Sequence, residues 1–306
     1  MPNERLYNRI FQKKNFLDAK RPLPEAVLSR VREELHTEFV FNSNAIEGNT
    51  LTLKETRLVL AEGMTIKGKP LKDHLEATNH LEAIDFICNL SKTDADITEA
   101  DINGIHGIVL KDIEREYAGK YRPGQVRILG ADFIPPNALK IPALMEKLVA
   151  WLKAHPGKGN IIEAAASAHY EISRIHPYID GNGRVARLLM NLILIRNGFP
   201  PAVILNNDRK KYYHALGRAD QGEFHPFFKL VGQSLERSLD IYLRAFGLDN
   251  EKLMSLADLS KGSPYSRDYL SLLARQGKLS AIKLGRNWLS TEKALTDYVE
   301  TRRRKR

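Results

Sequence analysis

Residues 176–187 read His-Pro-Tyr-Ile-Asp-Gly-Asn-Gly-Arg-Val-Ala-Arg, bringing an imidazole, a carboxylate and two guanidiniums into one short stretch. Pro177 blocks helix continuation, because it lacks an N–H and biases the residue before it away from helical angles. Gly181-Asn182-Gly183 tolerates positive φ, so successive backbone N–H groups can turn into one concavity. The next helix is predicted to start at about Arg184, which sets that concavity at the positive end of a helix dipole. Arg184 and Arg187 are three apart and share a face, so both can reach one anion. This is the chemistry of a polyphosphate cradle. Asp180 is a hard carboxylate suited to Mg²⁺, an ion that keeps waters and shares phosphate oxygens. His176, with an ordinary pKa near 6.5, suits proton abstraction from a hydroxyl at neutral pH. Singly, Gly-Asn-Gly is a turn and a His before Pro is structural. Together, between two apolar helices, they point to an enzyme that transfers part of a nucleotide.

The elements that must hold these groups are helical. Apolar residues at three-to-four spacing predict helices over residues 25–39, 75–90, 143–154, 161–175, 184–197 and 227–246. Gly198 with Pro200-Pro201 supplies a helix stop. Residues 121–136 read as extended: Val126 and Ile128 alternate with polar neighbours, Gly130-Ala131-Asp132 offers a turn, and Pro135-Pro136 ends the run. A hairpin or a plain surface turn fits there equally. His80, His106 and His169 fall in helical apolar patterns and read as structural, and no His/Asp/Glu spacing suggests a zinc site.

The twelve-residue segment resembles the signature of Fic-domain proteins: His-Pro-Phe, any residue, Asp or Glu, Gly-Asn-Gly-Arg, two residues, Arg. Tyr178 stands where Phe is usual, and the aromatic character is kept. The resemblance covers roughly residues 40–245 and implies a mostly α fold, a Fic-type helical bundle with a small β-hairpin flap. It further implies transfer of AMP from Mg-ATP to a Ser, Thr or Tyr hydroxyl of a target protein or of the chain itself. Mapped residue by residue, His176 would be the general base and Asp180 the Mg²⁺ ligand. Gly181, Asn182 and Gly183 would hold the α- and β-phosphates, Arg184 would help position them, and Arg187 would bind the γ-phosphate. Gly119-Lys120-Tyr121-Arg122 and residues 126–136 are similar to the flap, which aligns a target segment by adding a strand. Tyr213, in the pair Tyr212-Tyr213, resembles the part that closes on adenine; core packing is the alternative for such a pair.

A second stretch, Phe41-Asn42-Ser43-Asn44-Ala45-Ile46-Glu47-Gly48-Asn49, reads as a helix C-terminus with Gly48-Asn49 as its stop. Glu47 then sits at the negative end of the dipole, where a carboxylate wants a nearby cation. The pattern also resembles the inhibitory motif of Fic proteins, carried here by Ser43, Glu47 and Gly48. Its N-terminal position implies the class whose inhibitory helix precedes the core. Glu47 would pair with Arg187 and leave ATP in a pose unfit for transfer, or would position a water that removes AMP from a modified target. An ordinary cap with a solvated Glu47 is the plain alternative.

The net charge is +10, and residues 251–306 carry 13 Lys/Arg against 6 Asp/Glu, so +7 of it lies in the C-terminal fifth. That region reads as short helices over 253–259 and 267–276, a two-stranded ribbon over 280–289 turning at Gly285, and a last helix over 291–304. Tyr269, Leu270, Leu273 and Ala274 would face its core, leaving Arg267 and Arg275 exposed. The order resembles winged helix-turn-helix modules of the excisionase or MerR type, which implies DNA binding with Lys283, Arg286 and the terminal basic run on phosphates. A protein-interaction module with a solvated basic tail is the other reading.

The expected domains are therefore 1–100, helical with the inhibitory motif; 101–248, the catalytic core; and 251–306, winged-helix-like. One cysteine, Cys88, excludes an intramolecular disulfide and a cysteine metal cluster. No signal peptide and no membrane-length apolar run is seen, so the expected location is the cytoplasm. Apolar helix faces permit a homodimer. From a different class, the same features fit a DNA-binding regulator whose core senses nucleotide.

Overall fold

Helical periodicity shapes almost the whole chain. The computed structural model describes residues 3–127, 133–154, 160–246, 254–284 and 287–303. Thirteen α-helices lie among the described residues: α1 (Glu4–Asp18), α2 (Glu25–Ile46), α3 (Leu53–Glu62), α4 (Leu71–Leu90), α5 (Glu99–Leu110), α6 (Ile141–Ala154), α7 (Ile161–Ile175), α8 (Asn182–Arg196), α9 (Arg209–Asp220), α10 (His225–Phe246), α11 (Leu256–Lys261), α12 (Arg267–Arg275) and α13 (Glu292–Arg303). Three short strands, β1 (Met254–Ser255), β2 (Ile282–Leu284) and β3 (Asn287–Ser290), complete them. The chain divides into two compact units, Glu34–Val231 and Met1–Glu33 with Gly232–Arg306.

In the unit Glu34–Val231, α7 packs on α8, and α4 and α5 also lie against α8. Twelve of the fifteen α8 residues are buried, Arg184 and Arg187 included. A helix enclosed this way must find partners for its polar side chains inside the protein. Asn191 does so by donating to Arg187 O and Ala202 O and accepting from Ala202 N. The helix ends as expected, with Gly198 at φ 77° just past Arg196. Its start differs by two residues: Gly181, left-handed at φ 77°, is the cap, so Asn182 already belongs to α8.

Four described helices of the first 250 residues, α1, α3, α5 and α9, lie outside the predicted ranges, and two of them, α3 and α5, carry a local start signal. Each is opened by a reciprocal capping box, Thr52 with Glu55 and Thr98 with Asp101, and that Thr-x-x-acid spacing is the signal that marks them. Residues 121–127 and 133–137 form no strand. The middle of the expected hairpin, residues 128–132 with Ile128 and the Gly130-Ala131-Asp132 turn, lies outside the described residues.

In the other unit, β1, β3 and β2 form an antiparallel sheet in that order, with Met254 opposite Ser290 and Ile282 opposite Leu289. The third strand, β1, is two residues long, too short to show alternation in sequence. Leu253 and Gly285 lie outside the described residues. Leu256, Leu259, Leu270, Leu273, Ala274, Leu279 and Leu295 make a separate core. Tyr269 packs against that core, while Arg267 and Arg275 are exposed. Within this unit α1 meets α10 through ion pairs of Arg9 and Lys13 with Glu236, at 2.8 and 3.0 Å.

Candidate active site

The loop joining α7 to α8 is held from three sides. His176 caps α7 at φ 49°, the one non-glycine residue with positive φ among the described residues. Its N–H donates to Ile172 O at 2.9 Å, while its own carbonyl accepts from Arg122 Nε at 2.8 Å. Arg122 N donates to Pro177 O at 2.9 Å. Asn182 closes the loop internally: its Oδ1 accepts from Tyr178 N and its Nδ2 donates to Tyr178 O, both at 2.9 Å. The Tyr178 ring is fully buried and stacks on His106 with centroids 3.6 Å apart. Its hydroxyl donates to Asn103 Oδ1 at 2.8 Å, which explains how Tyr replaces Phe here without stranding a polar atom.

His106 also sets the backbone at Asp180. Its Nδ1 accepts from Gly119 N at 2.9 Å, so the proton is on Nε2, which faces Asp180 O at 3.1 Å. Burial lowers its pKa to about 4, keeping the ring neutral. The other two histidines read as structural are indeed enclosed. His169 Nε2 lies 2.9 Å from the Tyr212 hydroxyl. His80 meets Phe39 edge-on, and neither of its ring nitrogens has a partner among the described residues.

His176 Nδ1 lies 3.3 Å from Ser173 O. A proton on that nitrogen donates to the carbonyl and leaves Nε2 as the basic site. Burial holds the imidazole below the usual histidine range; Ser173 O, Glu47 and Asp180 oppose this only in part. Burial by itself would raise the Asp180 carboxyl, but Arg184, the Gly181 N–H and Lys72 outweigh it and hold it below its ordinary value. Asp180 Oδ1 accepts from Gly181 N at 2.6 Å, and Oδ2 lies 3.3 Å from Arg184 Nη2 and 3.7 Å from Lys72 Nζ.

Arg187 is 1 % exposed and every part of its guanidinium is engaged. Nε donates to Ser43 Oγ at 2.8 Å, Nη2 to Ser43 O at 2.9 Å and to Glu47 Oε1 at 2.7 Å, and Nη1 to the Tyr212 hydroxyl at 3.4 Å. Glu47 stands one residue past α2, in a turn that Gly48 completes at φ 102°. Its carboxylate lies over Gly183, where any side chain would collide with it. An anion therefore sits where the α8 N-terminus and Arg187 converge, and that anion is the protein's own.

His176, Asp180, Gly181, Gly183, Arg184 and Arg187 thus lie on one loop and the helix turns it joins, with Ser43 of α2 and Glu47 just past it bonded to Arg187. The family model for the Fic/DOC family matches residues 96–194. The structure superposes with a TM-score of 0.73 on a Fic-domain-containing signalling protein from Bacteroides thetaiotaomicron, 32% identical, covering 78% of this chain and 96% of that one. The chain belongs to the Fic family. A further Fic structure, Fic-1 from C. elegans, gives a TM-score of 0.71 at 34% identity, over 78% of this chain and 72% of that one. Among curated relatives, the protein adenylyltransferase Fic of Drosophila sechellia is 37% identical over 236 residues, 75% of this chain and 48% of the relative. The chain thus spans about half the length of the curated relatives it matches.

Within this Fic site the tyrosine pair separates. Tyr212 is buried between His169 and Arg187, whereas Tyr213 is 40 % exposed with the Arg209 guanidinium 5.0 Å from its ring centre. Arg209 also donates from Nε to Ile46 O at 2.7 Å, a cation on the C-terminal carbonyl of α2. Sequence reading missed Arg209, Glu76 and the full reach of Arg122. Glu76 accepts from Arg184 Nη1 at 3.1 Å, yet in sequence it is one more acid on a helix face. Nothing local distinguishes such residues; only the packing of α4 and α9 around the site does.

Proposed function

We propose that this chain is a protein adenylyltransferase, moving AMP from ATP to a hydroxyl of a target protein and of itself, and that Glu47 restrains it. The observation that carries the reading is a basic His176 Nε2 beside a helix N-terminus and two buried arginines, one already holding Glu47. In the transfer, His176 Nε2 takes the proton of the attacking hydroxyl as its oxygen bonds to the α-phosphorus. The bond from that phosphorus to the bridging oxygen breaks, and pyrophosphate leaves with the electron pair. The Gly181–Gly183 amides and Arg184 would hold the α- and β-phosphates, and Tyr213 would close on adenine.

Asp180 fits a magnesium ligand, since its carboxylate is anionic and its side chain 41 % exposed. No group of three or more His, Cys, Asp or Glu stands ready for a metal among the described residues, which suits an ion completed by phosphate and water. Bound there, Mg²⁺ would neutralise charge on the phosphate oxygens.

Glu47 occupies the part of the cradle that the γ-phosphate needs, so ATP reaches Arg187 only after the carboxylate leaves. Removal of AMP from a modified target is the second reading, favoured by the same observation: a carboxylate held inside the cradle can also orient a water. ATP labelled at the α- or the γ-phosphate decides the chemistry. In a Glu47→Gly chain, AMP transfer leaves only the α-label on protein; retention of the γ-label or of neither there would sink the proposal. A His176→Ala chain serves as the blank.

We read residues 1–100 as the regulatory region, 101–248 as the catalytic core and 251–306 as a winged helix-turn-helix-like module, in a cytoplasmic enzyme supplied with Mg-ATP. For the module, α11, a turn and α12 followed by β2 and β3 support DNA binding, with Arg267 and Arg275 exposed on α12. Lys283 lies 5.9 Å from the Trp288 ring centre. Arg286 and residues 304–306 lie outside the described residues. Loss of salt-sensitive binding to duplex DNA on replacing Arg267 and Arg275 would support this assignment; absence of any binding would leave the nucleotide-sensing regulator without its DNA partner.

A further inference from the structure

Both arginines of the loop are buried, yet they are held by different acids. Arg187 meets Glu47, whereas Arg184 meets Glu76 on the second turn of α4. The Glu76 side chain is only 9 % exposed, and Arg184 is 1 % exposed. Glu76 is fully engaged: Oε1 accepts from Arg184 Nη1 at 3.1 Å, Oε2 from Asn49 Nδ2 at 2.9 Å, and its backbone carbonyl from Asn44 Nδ2 at 3.2 Å. Asn49 also donates to Asp73 O at 3.0 Å, and its Oδ1 accepts from Leu51 N at 3.0 Å. Asn44 and Asn49 bracket Glu47, so the residues on either side of the inhibitory carboxylate end on one acid of α4.

An arginine buried to this degree needs a carboxylate close by, because an uncompensated charge in the interior is strongly unfavourable. Glu76 supplies it from a rigid helix and grips Nη1 alone. That grip sets the plane of the guanidinium and sends Nη2 towards Asp180, 3.3 Å away, at the mouth of the phosphate loop. Among the described residues, Asp180 itself carries no such link to α2.

We infer that Glu76 is a positioning residue for nucleotide binding, aiming Arg184 at the phosphates and tying its position to the inhibitory turn through Asn49. Removing Glu47 then frees Arg187 but leaves Arg184 held in place. The inference rests on the adenylyltransferase reading for the role of Arg184, and the test separates the two.

In a Glu47→Gly chain, Glu76→Gln keeps the shape and the acceptor facing Arg184 but turns the other oxygen into a donor facing Asn49. KM for Mg-ATP should rise about tenfold or more, the scale of one hydrogen bond to a charged group, with a smaller change in kcat. The thermal midpoint should fall, since Arg184 loses one carboxylate and keeps Asp180 as its remaining one, so kinetics and binding are compared at a temperature where both chains are folded. Asn49→Ala should move KM the same way by less, and the double variant should be no worse than Glu76→Gln alone, since both act through one path. Calorimetric ATP binding repeats the comparison without relying on turnover. If the Glu47→Gly parent binds ATP but transfers nothing, the adenylyltransferase reading fails while the Glu76 arm is still decided by binding. An unchanged KM and affinity in Glu76→Gln overturns the positioning role, and strictly additive effects of Asn49→Ala and Glu76→Gln overturn the link to the inhibitory turn.

Discussion

The proposed restraint rests on one contact, Glu47 Oε1 with Arg187 Nη2 at 2.7 Å. A charge-assisted hydrogen bond of about 1.5–3 kcal/mol corresponds to roughly ten- to over a hundredfold in the population it favours. Glu47→Gly is therefore expected to raise α-labelled auto-modification by that range, and Glu47→Gly with His176→Ala to return it to background. Equal labelling of Glu47→Gly and wild type under Mg²⁺ would show that Arg187 is not the restrained group. The pH profile gives an independent reading. Burial depresses the His176 pKa, so the base is neutral at pH 7 and the acid limb of kcat/KM should lie below pH 6.5. Glu47 is among the charges that raise this pKa. Deleting it should shift the acid limb to still lower pH, and a shift to higher pH would count against Nε2 as the base.

At the level of elements, one arginine organises the approach to the site. Arg122 is 2 % exposed; Nε donates to His176 O at 2.8 Å, Nη1 to Gly124 O at 2.5 Å and Nη2 to Pro136 O at 2.6 Å. Gln125 Nε2 adds a bond to Pro135 O at 2.8 Å. The two ends of the expected flap are thereby fastened to each other and to the carbonyl of His176. Arg122→Met should lower unfolding stability by about 1–2 kcal/mol, since three part-buried carbonyls lose a charged donor that water only partly replaces. If these residues act as the flap that the family resemblance implies, modification of a protein target should fall further than KM for ATP changes. Initial rates at varied ATP and varied target separate the two, and a rise confined to KM for ATP would contradict the role.

For the molecule as a whole, acid should act through buried histidines. His80, His106 and His169 all lie in the unit Glu34–Val231, and burial depresses each pKa, to about 4 for His106. Between pH 6.5 and about 4 the unfolded chain binds protons that the folded unit refuses, so stability falls with falling pH. Each histidine adds a slope of about 1.4 kcal/mol per pH unit within its own window. Asp240, raised to about 6 by burial in the other unit, works in the opposite sense between that value and its ordinary one. Chemical denaturation across pH 4–7 should show a net loss towards acid. His80→Leu should flatten the slope without lowering the midpoint at pH 7, because neither ring nitrogen has a partner to lose among the described residues. No helix among the described residues is long and apolar enough to cross a membrane.

What the sequence alone determined were the features encoded by neighbours: the helices with strong periodicity, the stop at Gly198, and the loop from His176 to Arg187. That loop is legible because Pro177, Gly181 and Gly183 impose local backbone geometry. From the residues alone the contact between Glu47 and Arg187 was legible as a demand, a carboxylate at a helix C-terminus in want of a cation, and the family resemblance named Arg187 as that cation. Which cation answers it depends on α2 reaching Ile46 and on α8 lying beneath, 140 residues away in the chain. Only the tertiary structure selected Glu76 for Arg184, Arg122 for the carbonyl of His176 and Arg209 for the end of α2. These are long-range pairs of ordinary surface residue types, and burial is what turns them into specific partners.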